Sequence, residues 1–311
     1  MTAPAGGAAT VQSLMAACGL PRLEARMLLE LVLARPRAWL LAHDTDPLDV
    51  VAVERFEQLA GQRRQGQPMA YLLGEREFMG HRLAVAPGVL IPRPETELLV
   101  ETGLQHLAGR ASPRVLDLGT GSGAIAIAIA LARPDAQVLA TDASEAALQQ
   151  ARANAATLGA GNVTFRHGDW FAALATVASG SGCAATVATA SASAEPAAAP
   201  LGAAQPHPQP AAFDLIVSNP PYIEAGDVHL TQGDLRFEPR SALTDEADGL
   251  SALRRIVAGA RDWLAPGAAL WLEHGWDQAA AVRQLLAAAG FERPSSRRDL
   301  ADIERISGAS L

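Results

Sequence analysis

The chain has 311 residues, 49% hydrophobic and 19% charged, enough for one large domain or two ordinary ones, each with its own core. Its 25 basic residues stand against 33 acidic ones, a net charge of −8, which speaks against a protein whose main work is to coat a phosphate backbone. All the basic residues are Arg; the absence of Lys excludes Schiff-base lysines, a P-loop lysine and a lysine general base.

The two cysteines, Cys18 and Cys183, stand far apart without a paired CxxC, so neither a disulfide framework nor a cysteine-rich zinc site is expected. Met1 to Leu20 lacks the basic start and apolar run of a signal peptide. No stretch approaches the 18 or so apolar residues of a membrane span. A cytoplasmic protein without membrane or metal is the expectation.

From about Val11 to Gln67, apolar positions such as Leu28, Leu29, Val32, Val53, Phe56 and Leu59 recur at helical spacing, interrupted by Pro36 and Pro47. This reads as a small bundle of short helices, within a helical domain over 1–75. Between Tyr71 and Val85, two alternating segments flank a polar turn, which suggests a β-hairpin, and 76–92 is assigned as a connector. A third unit follows over 93–311.

From Arg114 onward, strand-like runs (Val115–Leu118, Gln137–Thr141, Val163–Arg166, Phe213–Ser218 and Ala269–Glu273) alternate with helical patterns. That is the signature of an α/β fold with a parallel sheet covered on both faces. Ala172–Ala212 breaks the rhythm: 17 of its 41 residues are Ala, 5 are Pro, and Glu195 is its one formally charged side chain. It reads as a low-complexity insertion, disordered rather than a lid or binding arm.

The residues that carry chemistry fall at strand ends. Asp117-Leu118-Gly119-Thr120-Gly121-Ser122-Gly123 closes one strand and opens a helix, so its glycines permit a tight turn and close approach of backbone to a nucleotide-like ligand. The GxGxG spacing departs from the dinucleotide fingerprint and suggests a ligand without a pyrophosphate. Asp142 ends the next strand, where it either accepts from ribose hydroxyls or caps the following helix. At the third strand end, Trp170 offers a flat face for an adenine, or is an ordinary core aromatic, while Asp169 can accept from an exocyclic amine.

The most specific signal is Asn219-Pro220-Pro221-Tyr222, after the strand ending at Ser218. The prolines stiffen the turn, so the Asn219 amide oxygen and the Pro220 carbonyl can converge as two acceptors, with the Tyr222 ring beneath. Such a clamp fits a planar NH₂ group, its lone pair aimed at an electrophile on the adenosine ligand.

Asp117 to Gly123, Asp142 and Asn219 to Tyr222 resemble the S-adenosylmethionine-dependent methyltransferase fold. Gly74-Glu75-Arg76-Glu77-Phe78, Ile91-Pro92-Arg93-Pro94-Glu95-Thr96-Glu97, Asp169-Trp170-Phe171, the run from Gln232 to Pro239, and Glu273-His274-Gly275 further resemble the peptide chain release factor glutamine methyltransferases, the PrmC/HemK family. The resemblance implies a Rossmann-like sheet preceded by a helical docking domain. It also implies methylation of the Gly-Gly-Gln glutamine of bacterial class I release factors. It gives Gly119, Thr120, Gly121, Ser122, Gly123, Asp142 and Trp170 to S-adenosylmethionine, Asn219 to both cofactor and substrate, and Pro220, Pro221 and Tyr222 to the glutamine, with Asn219, Pro220 and Tyr222 at the chemistry. Glu95, Glu97, Asp234 and Glu238 are left without a role. A DNA or RNA exocyclic-amine methyltransferase is the alternative, which the acidic balance disfavours; a catalytically silent adaptor is a more distant one.

Overall fold

The computed structural model describes residues 8–179 and 212–311. Most of the low-complexity stretch, residues 180–211, therefore lies outside the described residues.

Five helices come first: α1 Val11–Ala17, α2 Arg22–Leu33, α3 Arg37–Ala42, α4 Val50–Arg64 and α5 Met69–Leu73. Local chemistry sets their starts. Thr10 and Ser13 form a reciprocal capping box at α1, and the Asp49 carboxylate caps α4 by accepting from Ala52 N–H at 2.9 Å. Pro36 and Pro47, read as breaks, fall just before α3 and α4. The bundle closes on Leu28, Leu29, Phe56 and Leu59, while Val50 and Val51 face outward at 70% and 75% exposure.

The hairpin is β1 Glu75–Phe78 with β2 His81–Ala84. Met79 and Gly80 both adopt positive φ (51° and 76°), the left-handed pair that matches the twist of a two-residue turn. Tyr71 to Leu73, expected as part of its first segment, instead end α5, because Gly74 at φ 76° stops the helix there. Phe78 and Leu83 are buried in the core of the following unit, so the connector is rooted in the sheet domain.

That unit opens with a 3-10 turn, Pro94–Thr96, and α6 Glu97–His106. It continues through β3 Arg114–Leu118, α7 Ala124–Ala132, β4 Gln137–Asp142, α8 Glu145–Leu158 and β5 Val163–His167. After a 3-10 segment, Trp170–Ser179, come β6 Phe213–Ser218, α9 Arg240–Leu243, α10 Ser251–Ala260, β7 Leu264–Glu273, α11 Ala279–Ala288, β8 Glu292–Arg298 and β9 Glu304–Ser310. The seven strands run in the order β5-β4-β3-β6-β7-β9-β8; the pairs from β5 to β7 are parallel, and β9 and β8 join antiparallel. Side chains of α6 and α7 pack on one face with Val115 and Leu215, and those of α10 and α11 on the other with Leu116 and Ile216.

Two features depart from the sequence reading. The β8–β9 hairpin adds an antiparallel edge to the expected parallel sheet. Ala173 and Leu174, inside the span taken as insertion, are buried, and Leu174 belongs to the core beside Leu253 and Phe213. The fold therefore keeps the first residues after Phe171.

The chain steps outward from β3 to β4 and β5, then returns to lay β6 on the other side of β3. The crevice outside the carboxyl ends of β3 and β6 is the place where an open α/β sheet accepts a ligand. Every strand-end motif of the sequence opens onto this edge. The hairpin is fastened to it by Asn154 of α8, a buried side chain whose Oδ1 accepts from Ala84 N–H and whose Nδ2 donates to Ala84 O and Ser122 O, all within 3.0 Å. Asn154→Leu should lower the melting temperature, since each buried backbone group left unpaired costs about 1–3 kcal/mol. Calorimetric unfolding checks it, and an unchanged transition would contradict the assignment.

Candidate active site

After β3 the backbone turns through Gly119, Gly121 and Gly123 at φ 73°, 57° and 86°. A Cβ at Gly119 would stand 3.4 Å from the Trp170 indole, and one at Gly123 would stand 2.8 Å from Ile127 and 3.1 Å from Ala151. Gly123 therefore needs glycine for space as well as for backbone angle, whereas Gly119 needs it for the angle alone. Thr120 and Ser122 are buried behind the loop. The Thr120 hydroxyl donates to Asp117 Oδ2 at 2.6 Å, and Ser122 gives its carbonyl to Asn154. Burial pushes the Asp117 carboxyl up to about 7, against the pull of the Thr120 hydroxyl.

Asp142, at the end of β4, accepts from Gly121 N–H through Oδ2 and from Ser144 N–H through Oδ1, both at 2.8 Å. The helix cap falls instead to Ser144, whose hydroxyl accepts from Ala147 N–H at 3.2 Å. Burial raises the Asp142 carboxyl above its usual range, tempered by those backbone donors. Trp170 holds positive φ at 48° and lays its half-buried indole along Gly119. Asp169, expected to face an amine, lines the same cleft as Trp170 and also pairs with Arg255 at 2.6 Å through Oδ2.

These residues line a cleft of about 330 Å³ whose walls include Gly119, Gly121, Asp142, Trp170, Asn219 and Pro221, with Val89 and Leu90 from the connector. Thr120, Ser122 and Gly123 do not line it; they shape the loop that does. Asn219 also borders a smaller hollow of about 50 Å³ shared with Pro220, Tyr222, Arg93, Leu90 and Leu235. It thus stands on the wall between the two spaces. Its Nδ2 donates to Thr96 Oγ1 at 3.2 Å, and the Tyr222 hydroxyl donates to Glu273 Oε1 at 3.1 Å. Burial drives the Tyr222 phenol up, reinforced by the Glu273 charge.

The four carboxylates left without a role separate. Glu97 Oε1 accepts from Met79 N–H at 2.7 Å and so ties the hairpin turn to α6. Glu238, its side chain fully buried, accepts from Ile91 N–H at 3.1 Å and pairs with Arg93 at the hollow. Asp234 reaches Arg63 of the helical bundle at 3.4 Å. Glu95 bears on the site through its charge, which raises the Glu273 carboxyl.

Thr96 and Glu273 fall in motifs that carry the resemblance but receive no site role from the sequence, and Asn154 and Leu90 receive none either. For Glu273 a signal existed: it ends the strand beside the one carrying Asn219, at the same carboxyl edge. Thr96 is marked only by its place in the Ile91 to Glu97 motif, and Asn154 carries no mark, since only packing brings it near.

Residues 110–184 match the family model described as a methyltransferase domain, and residues 8–74, which hold α1 to α5, match that of the PrmC N-terminal domain. The chain is 57% identical over 301 residues to the release factor glutamine methyltransferase of Bordetella pertussis, covering 97% of this chain and 99% of that one. It is 50% identical to the protein of that name in Burkholderia pseudomallei, over 97% and 96% of the two chains, and 48% identical to that of Neisseria gonorrhoeae, over 92% of each. The chain belongs to the release factor glutamine methyltransferase family. Its methyltransferase domain is the Rossmann-like sheet described above, and among the described residues no helix is long and apolar enough to cross a membrane. In this member of the family, Asn219-Pro220-Pro221-Tyr222 follows the strand that flanks the switch point.

Proposed function

We propose that this chain transfers a methyl group from S-adenosylmethionine to the side-chain amide nitrogen (N5) of the glutamine in the Gly-Gly-Gln motif of bacterial class I release factors, acting in the cytoplasm. One observation carries the reading within the family: Asn219 is shared by a nucleoside-sized cleft and a smaller hollow, so one side chain borders both cofactor and substrate.

The cleft fits the cofactor. Asp142 spends one lone pair of each oxygen on backbone N–H and keeps others for ribose hydroxyls. Trp170 offers its indole to the adenine. Gly119 and Gly121 bring bare backbone to the ligand, with Thr120, Ser122 and Gly123 fixing the loop from behind. S-adenosylmethionine supplies the electrophile, a methyl group on a positively charged sulfur.

An amide nitrogen is a poor nucleophile because its lone pair is delocalised, so orientation and charge stabilisation carry the burden. The Asn219 amide oxygen and the Pro220 carbonyl accept the two N–H bonds of the glutamine, and the Tyr222 ring lies beneath the amide plane with Pro221 stiffening the turn. As the new bond forms, the two acceptors hold the positive charge that develops on nitrogen. The proton then becomes acidic and leaves through an acceptor or water, without a general base in advance.

The partner is a protein, and the outward-facing Val50 and Val51 give the helical domain apolar surface to meet it. Mass spectrometry of the wild type with labelled S-adenosylmethionine tests the proposal. Intact release factor should gain one methyl on the glutamine nitrogen, a free Gly-Gly-Gln peptide should be a far poorer substrate, and affinity for duplex DNA should vanish at moderate salt. Robust methylation of DNA or RNA, with none on release factor, would replace this reading with that of a nucleic-acid enzyme.

A further inference from the structure

Both polar members of the clamp are held from behind, and the two lines of support meet at one carboxyl group. The Tyr222 hydroxyl ends on Glu273 Oε1, and Asn219 Nδ2 ends on Thr96 Oγ1. Thr96 is 4% exposed and Glu273 is 1% exposed. The Thr96 hydroxyl faces the Glu273 carboxyl closely enough to hold its pKa down, while Oε2 stays buried without a well-aligned donor.

A hydroxyl has a single proton to give. With that proton directed at Glu273, Thr96 Oγ1 can only accept, so Asn219 must turn its NH₂ toward Thr96 and its carbonyl oxygen away from it. That polarity is the one a substrate NH₂ requires; the reverse sets one NH₂ group against another. A carboxylate suits the end of such a relay because it accepts and never donates.

We infer that Glu273 is a positioning residue for the methyl-accepting amide: through the Thr96 hydroxyl it fixes which end of the Asn219 side chain the substrate meets, and by accepting from the Tyr222 hydroxyl it holds the ring of the clamp in place. The inference rests on the glutamine-methylation reading. Glutamine at position 273 would offer donors of its own, allowing Thr96 to donate toward Asn219 and turn the amide around.

Ionisation gives the idea a second readout. Arg305 of β9 and the two hydroxyls lower the Glu273 pKa, Glu95 ahead of α6 raises it, and the neighbouring His274 is turned toward Ser307 and Gly275; burial dominates and leaves the carboxyl at about 7. Neutral Glu273 carries an O–H that can donate to Thr96. Turnover should therefore rise with pH as this proton is lost.

The test compares full-length wild type with Glu273→Gln, Thr96→Val and Thr96→Ser, measuring kcat and KM with intact release factor, the Kd for S-adenosylmethionine and the pH profile. Glu273→Gln and Thr96→Val should lower kcat by about 10- to 100-fold, the scale of a misaligned reacting group. KM and Kd should change much less than kcat, because the helical domain and the cofactor contacts of Asp142, Trp170 and the glycine loop are untouched. Thr96→Ser should restore turnover, and the rising limb near neutral pH should be missing from Glu273→Gln. Wild-type kcat in both disruptive variants, a loss that Thr96→Ser shares with Thr96→Val, or a limb that survives in Glu273→Gln would overturn the inference while leaving the functional reading intact. Should Glu273→Gln not fold, the two Thr96 variants decide. A wild type inactive on release factor would overturn the functional reading, and this inference with it.

Discussion

Asn219→Ala is expected to lose about 10²–10³ in kcat, the cost of removing one preorganised electrostatic partner from a reacting centre. The loss should fall on turnover because the missing acceptor matters most as charge grows on the glutamine nitrogen. S-adenosylmethionine affinity should be largely kept, since Asp142, Trp170 and the glycine loop still line the cleft. The Thr96 hydroxyl loses its partner in this variant but keeps Glu273 in front of it, so the fold should survive. Single-turnover methyl transfer with saturating release factor, alongside calorimetric titration of the cofactor, separates the two effects. Near-normal turnover would remove the clamp from the mechanism.

The second large effect belongs to the cofactor side. Asp142→Ala should weaken S-adenosylmethionine binding by ~1.5–3 kcal/mol, the range for hydrogen bonds to a charged group, which corresponds to about 10- to 150-fold in Kd. Asp142 also ties the glycine loop to the start of α8 through Gly121 and Ser144, so the alanine variant loosens both. Asp142→Asn keeps one acceptor oxygen and should fall between. An unchanged Kd in a folded alanine variant would reduce Asp142 to a loop brace.

What the sequence made legible is chemistry that sits at a strand end. The glycine loop, Asp142 and Asn219 to Tyr222 are each local: their neighbours in the chain are also their neighbours in space, and the topology of a parallel sheet delivers all three to one edge. The Glu273–Thr96 link is of another kind. Those residues are 177 positions apart (273 − 96), and no spacing rule joins a 3-10 turn to the end of the seventh strand. The β8–β9 hairpin escaped for a different reason. Its outer strand, Glu292–Arg298, reads Glu-Arg-Pro-Ser-Ser-Arg-Arg, an edge sequence whose charge and proline discourage further pairing and whose pattern shows no apolar alternation. The split of the glycine loop into residues that line the cleft and residues that brace it was also invisible, because side-chain direction inside a turn depends on its φ angles rather than its composition.

The fastening of the hairpin turns this enzyme into a gauge. Asn154 clamps the connector to the glycine loop, Glu97 clamps its turn to α6, and Phe78 and Leu83 anchor it in the core, so the span from the helical domain to Asn219 has little freedom to stretch. On the proposed reading, in which the helical domain grips the partner, that partner has to present its glutamine at a set distance from the grip. On that reading selectivity among glutamines of identical local sequence becomes a matter of length: a partner whose loop is lengthened or shortened between docking surface and tripeptide is expected to bind and yet go unmethylated.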